Sequence, residues 1–166
     1  MHKIQVICGD ATEFRSFLSP LTNLVVTSPP YGIIMKGRGI ADEQRPGGMT
    51  PYEEDNEKNI GNYLLNDERY HESMKKIYTN CYDKTKENGY MVTVTKNFYS
   101  RGDIQRLDLV TEELMVSSGW TCVDKIKFKL PYISMWQKMY AKKYPEREVF
   151  YHEDVLVFRK LHLNEE

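Results

Sequence analysis

Asn23-Leu24-Val25-Val26-Thr27-Ser28-Pro29-Pro30-Tyr31-Gly32 decides how this chain of 166 residues is read. Its first half is a short β-branched run of the kind that forms a buried strand in a parallel sheet. Its second half cannot continue that strand. Two consecutive prolines fix two φ angles and remove two backbone donors, and Ser28, which precedes a proline, is held extended. The corner therefore presents a hydroxyl and bare carbonyls beside the ring of Tyr31. In open α/β sheets the carboxyl end of a strand is where ligands bind. A corner of this kind suits a planar group that donates hydrogen bonds and stacks.

Outward from that corner the chain alternates strand and helix patterns without internal repeats. Strands are expected at 3–8, 22–28, 89–96, 120–129 and 153–160, and helices at about 11–18, 67–87, 103–118 and 133–144. Asn66 or Asp67 can cap the second helix and Gly89 can end it. Along that helix Tyr70, Met74, Ile77, Tyr78 and Cys81 recur at helical spacing and should face a sheet. Alternation of this kind predicts one α/β domain over 1–166, with a mainly parallel, three-layer, Rossmann-like sheet. Residues 32–65 show no periodicity and are rich in Gly, Pro, Asp, Glu and Asn. The expectation there is a long flexible loop, a flap over the corner at Tyr31.

An exocyclic amine on a nucleobase is a substrate such a corner would suit. Its nitrogen lone pair is delocalised into the ring, so it is a poor nucleophile. Two acceptors, one on each N–H, pull the nitrogen toward a tetrahedral shape and free the lone pair. The Ser28 oxygen and the Pro29 carbonyl are close enough in sequence to act as such preorganised dipoles, with Pro30 setting the turn and Tyr31 stacking on a base flipped out of its helix. Ser28-Pro29-Pro30-Tyr31 resembles motif IV, the (Asp/Asn/Ser)-Pro-Pro-Tyr signature of the S-adenosylmethionine-dependent DNA amino-methyltransferases. Cys8-Gly9-Asp10-Ala11 is similar to the Gly-Asp that precedes that motif. Glu87 to Val94, Gly119 to Ile126 and Tyr151 to Lys160 are similar to the strands that follow it, so the resemblance spans nearly the whole chain.

The resemblance implies methyl transfer from S-adenosylmethionine to a DNA base amine, with cytosine N4 favoured over adenine N6 by the serine, as in restriction-modification. It places the cofactor near Asp10, Ala11, Ser28, Lys96 and Asn97. For Asp10 the alternative is a helix cap for the segment that starts at Ala11. Relatives that modify RNA carry a similar turn, which makes an RNA base the alternative substrate. The family's glycine-rich cofactor loop, of the Asp-Pro-Phe-x-Gly-Ser-Gly type, is not among these 166 residues; in the permuted members it follows the last strand matched here. The expected sheet is therefore incomplete. Either the strand at 3–8 pairs directly beside 23–28, or a second copy or a partner chain completes it at an exposed edge. A non-catalytic module that binds nucleic acid or a partner subunit is the competing class.

Composition sets the remaining bounds. A net charge of −1 with 28% charged residues argues against a strongly basic nucleic-acid coat. No apolar run approaches a membrane span and no charged-then-apolar leader opens the chain, so a cytoplasmic location without membrane partners is expected. Cys8, Cys81 and Cys122 are far apart, and the four histidines are scattered, so neither a disulfide framework nor a metal site is expected. Charge is unevenly placed: Asp42 to Glu72 carries a net of −6, whereas Lys125 to Arg147 carries +6. The basic stretch interleaves Tyr132, Trp136, Tyr140 and Tyr144 with Lys138, Lys142 and Lys143. Cations alternating with rings suit a nucleic-acid strand, and the same spacing suits the apolar stripe of an ordinary helix. Trp136, Lys138, Lys142 and Lys143, with Lys36 and Arg38 in the flap, are the candidate nucleic-acid contacts.

Overall fold

The computed structural model describes residue 4 and residues 6–16, 21–31, 59–100, 103–132 and 135–161. A four-stranded sheet forms the centre. Its strands are β1 (Thr22–Thr27), β2 (Thr85–Thr95), β5 (Thr121–Lys129) and β6 (His152–Arg159), in the order β1-β2-β6-β5. A small hairpin, β3 (Phe98–Ser100) with β4 (Asp103–Gln105), stands beside it. The helices are α1 (Glu68–Lys84), α2 (Leu107–Ser117) and α3 (Met135–Lys143). This is an α/β fold.

The strand order corrects the expectation of a mainly parallel sheet. β1 and β2 are parallel, but β2–β6 and β5–β6 are antiparallel. The crossover from β2 through α2 to β5 leaves one slot open, and β6 fills it running backwards. Three strands share a direction while two of the three ladders are antiparallel.

α1 forms because an apolar stripe is present and both ends are specified. Asp67 caps it, its side chain accepting from the Arg69 N–H. Tyr70, Met74, Tyr78 and Cys81 are buried and Ile77 packs beside them, as their spacing predicts. α2 adds Leu107, Leu114 and Met115 to the same cluster, and the sheet adds Met91, Leu156 and Phe158. Trp120 closes it, donating its indole N–H to the Tyr78 carbonyl at 3.1 Å.

Gly89 does not end the helix. α1 stops at Lys84, and Thr85 already belongs to β2, pairing with Thr22. Gly89 lies within the strand, where a Cβ would meet the Thr85 Cγ2 at 2.5 Å and the Lys86 carbonyl at 2.8 Å. The close approach of backbone explains the glycine. The helix expected over 103–118 is shorter, because Asp103–Gln105 pairs with Phe98–Ser100 and α2 begins only at Leu107. The helix expected at 11–18 is a 3-10 turn over Ala11–Ser16.

Two further expectations are corrected. Of the strand expected at 3–8, residues 4 and 6–8 carry no strand, and Ile4 and Val6 are almost fully exposed. β-branched residues alone do not hold a strand without a partner ladder. The long loop expected over 32–65 ends in order: a 3-10 turn at Ile60–Asn62 is capped by Asn59, and Leu65 is in the core. Residues 32–58 of that loop lie outside the described residues.

The two faces of the sheet differ. Met91, Thr93 and Thr95 of β2 and Asp154, Leu156 and Phe158 of β6 are buried under α1 and α2. On the opposite face Leu24, Val26, Tyr90, Ile126 and Phe128 are 40–63% exposed. No described helix covers them, so the described residues supply two of the three expected layers. The edges differ as well. β5 carries Lys125, Lys127 and Lys129, charges of the kind that blunt a sheet edge. β1 reads Thr-Asn-Leu-Val-Val-Thr, with no charge.

Candidate functional site at the end of the first strand

The corner after β1 is held from two sides. Ser28 donates its hydroxyl hydrogen to the Val94 carbonyl of β2 at 3.0 Å, which ties the turn to the end of the neighbouring strand. Tyr70, buried in α1, donates its hydroxyl to the Pro30 carbonyl at 2.9 Å. The stripe that builds the core thus also pins the turn. That role of Tyr70 was not foreseen from the sequence, where its spacing signalled core alone.

The Ser28 oxygen is shared in a definite way. Ser28 Oγ and Tyr31 Oη are 3.1 Å apart. A hydroxyl has one hydrogen, and that of Ser28 goes to Val94. Tyr31 must therefore be the donor of the second bond. Ser28 Oγ then keeps one lone pair, and it lies on an exposed residue. Pro29 is buried, and its carbonyl has no hydrogen-bond donor among the described residues. The corner thus retains two acceptors, one hydroxyl oxygen and one peptide oxygen, in adjacent residues. The Tyr31 ring is half-buried against the core.

The other candidate residues separate into groups. Asp10 Oδ1 accepts from the Thr12 N–H and the Thr12 hydroxyl, both at 2.8 Å. That is the helix-cap alternative, and Ala11 is the first residue of the turn it caps. Asn97 is buried. Its Oδ1 accepts from the Asp108 N–H at the start of α2, and its Nδ2 donates to Asp154 Oδ2 at 3.4 Å. Both ends of that amide are engaged in joining β2, α2 and β6. Lys96 lines a large cavity of about 1310 Å³ together with Lys142 and Lys143. Lys138 is exposed on α3 and is not part of the cavity lining. The side chain of Trp136, and all of Lys36 and Arg38, lie outside the described residues.

Electrostatics around the site are set by a few buried groups. Burial pushes the Asp154 carboxyl above its ordinary pKa, against the opposing influence of His152, whose Nε2 lies 3.4 Å from Asp154 Oδ1. Asp108 is also partly buried, yet hydrogen bonds from Arg106, Asn97 and Leu109 hold its carboxyl below the usual range. Burial raises the Cys81 thiol to about 12, which keeps it protonated and inert. Among the described residues no cluster of His, Cys, Asp or Glu could hold a metal ion, and no helix is long and apolar enough to cross a membrane.

No protein-family model matches the chain, and no curated protein sequence does. Solved structures do. The PvuII DNA methyltransferase, which is cytosine-N4-specific, superposes with a TM-score of 0.62 at 18% identity, covering 92% of this chain and 47% of its own. TTHA0409 of Thermus thermophilus, assigned as a DNA modification methylase and solved with S-adenosyl-L-methionine, gives 0.57 at 16% identity, covering 95% and 56%. The M1.HpyAVI complex with S-adenosylmethionine gives 0.52 at 15% identity, covering 98% and 56%. The fold is that of DNA methyltransferases, and the chain spans about half the length of the structures it matches.

Proposed function

We propose that this chain is the amine-binding part of an S-adenosylmethionine-dependent DNA methyltransferase acting on an exocyclic base amine, cytosine N4 in preference to adenine N6. The observation that carries this reading is the commitment of the Ser28 hydrogen to Val94, which turns its oxygen into an acceptor. Ser28 Oγ would take one amine hydrogen and the Pro29 carbonyl the other. Both dipoles are fixed before the substrate arrives, so they stabilise the developing charge on nitrogen without reorganising. Tyr31 would hold the Ser28 lone pair in direction and set its ring beside the base. The proton released from the amine passes to solvent, and no carboxylate is needed to remove it.

S-adenosylmethionine, when bound, supplies an electrophilic methyl on a sulfonium. The described residues do not form a cradle for it. Asp10 and Asn97, the two candidates best suited to hold its adenosine, are engaged as structural caps. The donor site would come from residues outside the described set or from a partner, added at the uncharged edge of β1. The bare face of the sheet favours a homo-oligomer or a partner chain that completes the domain. The same two caps favour a second reading, a non-catalytic module of this fold that binds nucleic acid or a partner subunit.

Calorimetric titration with S-adenosylmethionine, followed by a methylation assay, separates the two. Heat of binding, followed by methylation of a cytosine-containing DNA that falls by about 10²-fold in kcat in Ser28→Ala, supports the enzyme. Donor affinity should stay nearly unchanged in that variant. No heat at millimolar donor removes the stand-alone enzyme and leaves two readings, a catalytic part whose donor site a partner supplies and the binding module. Ser28-dependent methylation once a donor-binding partner is added separates them.

A further inference from the structure

The cavity of about 1310 Å³ is larger than one base requires, since small-molecule sites occupy roughly 300–1,000 Å³. Its lining includes Lys96 and Asn97, which directly follow β2, the strand whose Val94 carbonyl holds Ser28. One wall is a ring assembly. Tyr99 and Tyr140 are 5.3 Å apart between centroids, Tyr140 and Tyr144 are 4.9 Å apart, and Phe150 closes the floor 5.8 Å from Tyr99. Arg147 lies over Tyr99 and Tyr144 and donates to the Tyr140 hydroxyl at 2.9 Å, which fixes the tilt of the wall. Lys142 and Lys143 stand exposed on its rim. Among the described residues Glu148 is the single carboxylate of the lining.

Packing alone does not account for this arrangement. A core cluster would be sealed by aliphatic side chains, whereas Tyr99, Tyr140 and Tyr144 are only half-buried around an open volume. Half-buried rings lining an open volume, with cations at the rim, are the chemistry of base stacking with phosphate neutralisation.

We propose that this cavity holds the nucleotide adjacent to the one whose amine meets Ser28, so that the chain engages at least two consecutive nucleotides of an unpaired strand. The inference rests on the reading of the Ser28 corner as a base-amine site and adds to it the substrate class. Tyr140 would stack on the second base, and Lys142 and Lys143 would contact the phosphates that flank it.

Fluorescence anisotropy with a labelled single-stranded oligodeoxynucleotide of about ten nucleotides, within the roughly 4–16 that such grooves take, tests this without the methyl donor. The single strand should bind more tightly than the duplex of the same sequence. Tyr140→Ala should weaken it by about 5- to 150-fold, as loss of one stacking partner implies, whereas Tyr140→Phe, which keeps the ring, should retain most of the affinity. Replacing both Lys142 and Lys143 by Ala should weaken binding and reduce the salt slope by about 1.4, at roughly 0.7 per phosphate on a single strand. Those two side chains are exposed, so that variant reports even if Tyr140→Ala fails to fold. Equal affinity for duplex and single strand, or an unchanged salt slope in the lysine variant, overturns the proposal. Single-strand binding that persists when no base is methylated leaves this site standing and removes the catalytic reading instead.

Discussion

The two faces of the central sheet are built from similar side chains and meet different fates. On one, Met91, Leu156 and Phe158 disappear beneath α1 and α2. On the other, Val26, Ile126 and Phe128 remain about half or more exposed. Soluble monomers seldom leave so continuous an apolar surface bare, and where they do it marks an interaction site. The uncharged β1 edge borders the bare face, and the lysine-bearing β5 edge closes the other side. The difference teaches that this polypeptide folds around one core while presenting the surface of a second. The sharpest way to break that comparison is to truncate one phenylalanine from each face. Phe158→Ala should cost about 3–5 kcal/mol in chemical denaturation, as a fully buried ring does. Phe128→Ala should stay within about 0.5 kcal/mol, as surface substitutions do. Equal costs would mean that the bare face is packed in solution.

A smaller effect of opposite sign is expected within the covered face. Thr93 lies near the C-terminal end of β2, fully buried, opposite Thr27 and Leu156. Its hydroxyl has no hydrogen-bond partner among the described residues. Valine has the same shape without the unsatisfied group, so Thr93→Val should stabilise by about 1 kcal/mol. A loss of stability on urea denaturation would show that the hydroxyl is satisfied and that this face is less dry than the buried residues indicate.

Most of the covered face was legible in the sequence, because a helix writes its buried side at a fixed spacing. Tyr70 to Cys81 could be assigned to the core without coordinates, and the corner at Ser28 could be placed at a strand end from two prolines and a β-branched run. What periodicity does not encode stayed hidden. The reversal of β6 depends on a slot left by a crossover, not on the residues of β6. Val25 and Val26 read as a fully buried strand, yet Val26 is 63% exposed, since the sequence of a strand does not say whether its second face finds a cover. The capping of α2 by Asn97 joins residues eleven apart through a side chain, whereas the sequence placed Asn97 only among the residues near the cofactor. The ring wall was half visible: Tyr140 and Tyr144 stood out by spacing, but Tyr99, Arg147 and Phe150 reach it from other elements. Lys36 and Arg38 fall outside the described residues.

The subtlest contrast lies between two carboxylates at the polar end of the covered face. Burial lifts the Asp154 carboxyl above its ordinary value of 3.8. A group raised in the folded state contributes stability that is full below its unfolded pKa and lost as pH rises through the folded one. At neutral pH the Asp154 charge therefore opposes folding. Asp108 behaves in the reverse sense. It too is desolvated, but Arg106, Asn97 and the Leu109 N–H outweigh that and hold its carboxyl down from 3.8, so its contribution is present at neutral pH and lost on acidification. Asp154→Asn should then raise the urea midpoint at neutral pH by a small margin that vanishes below the ordinary carboxylate range. Asp108→Asn should lower it at neutral pH and converge with the native protein in acid. If both variants shift the midpoint in the same direction at neutral pH, the two carboxyls share one environment. The joint that Asn97 makes between them would then not separate a dry side of the sheet from a wet one.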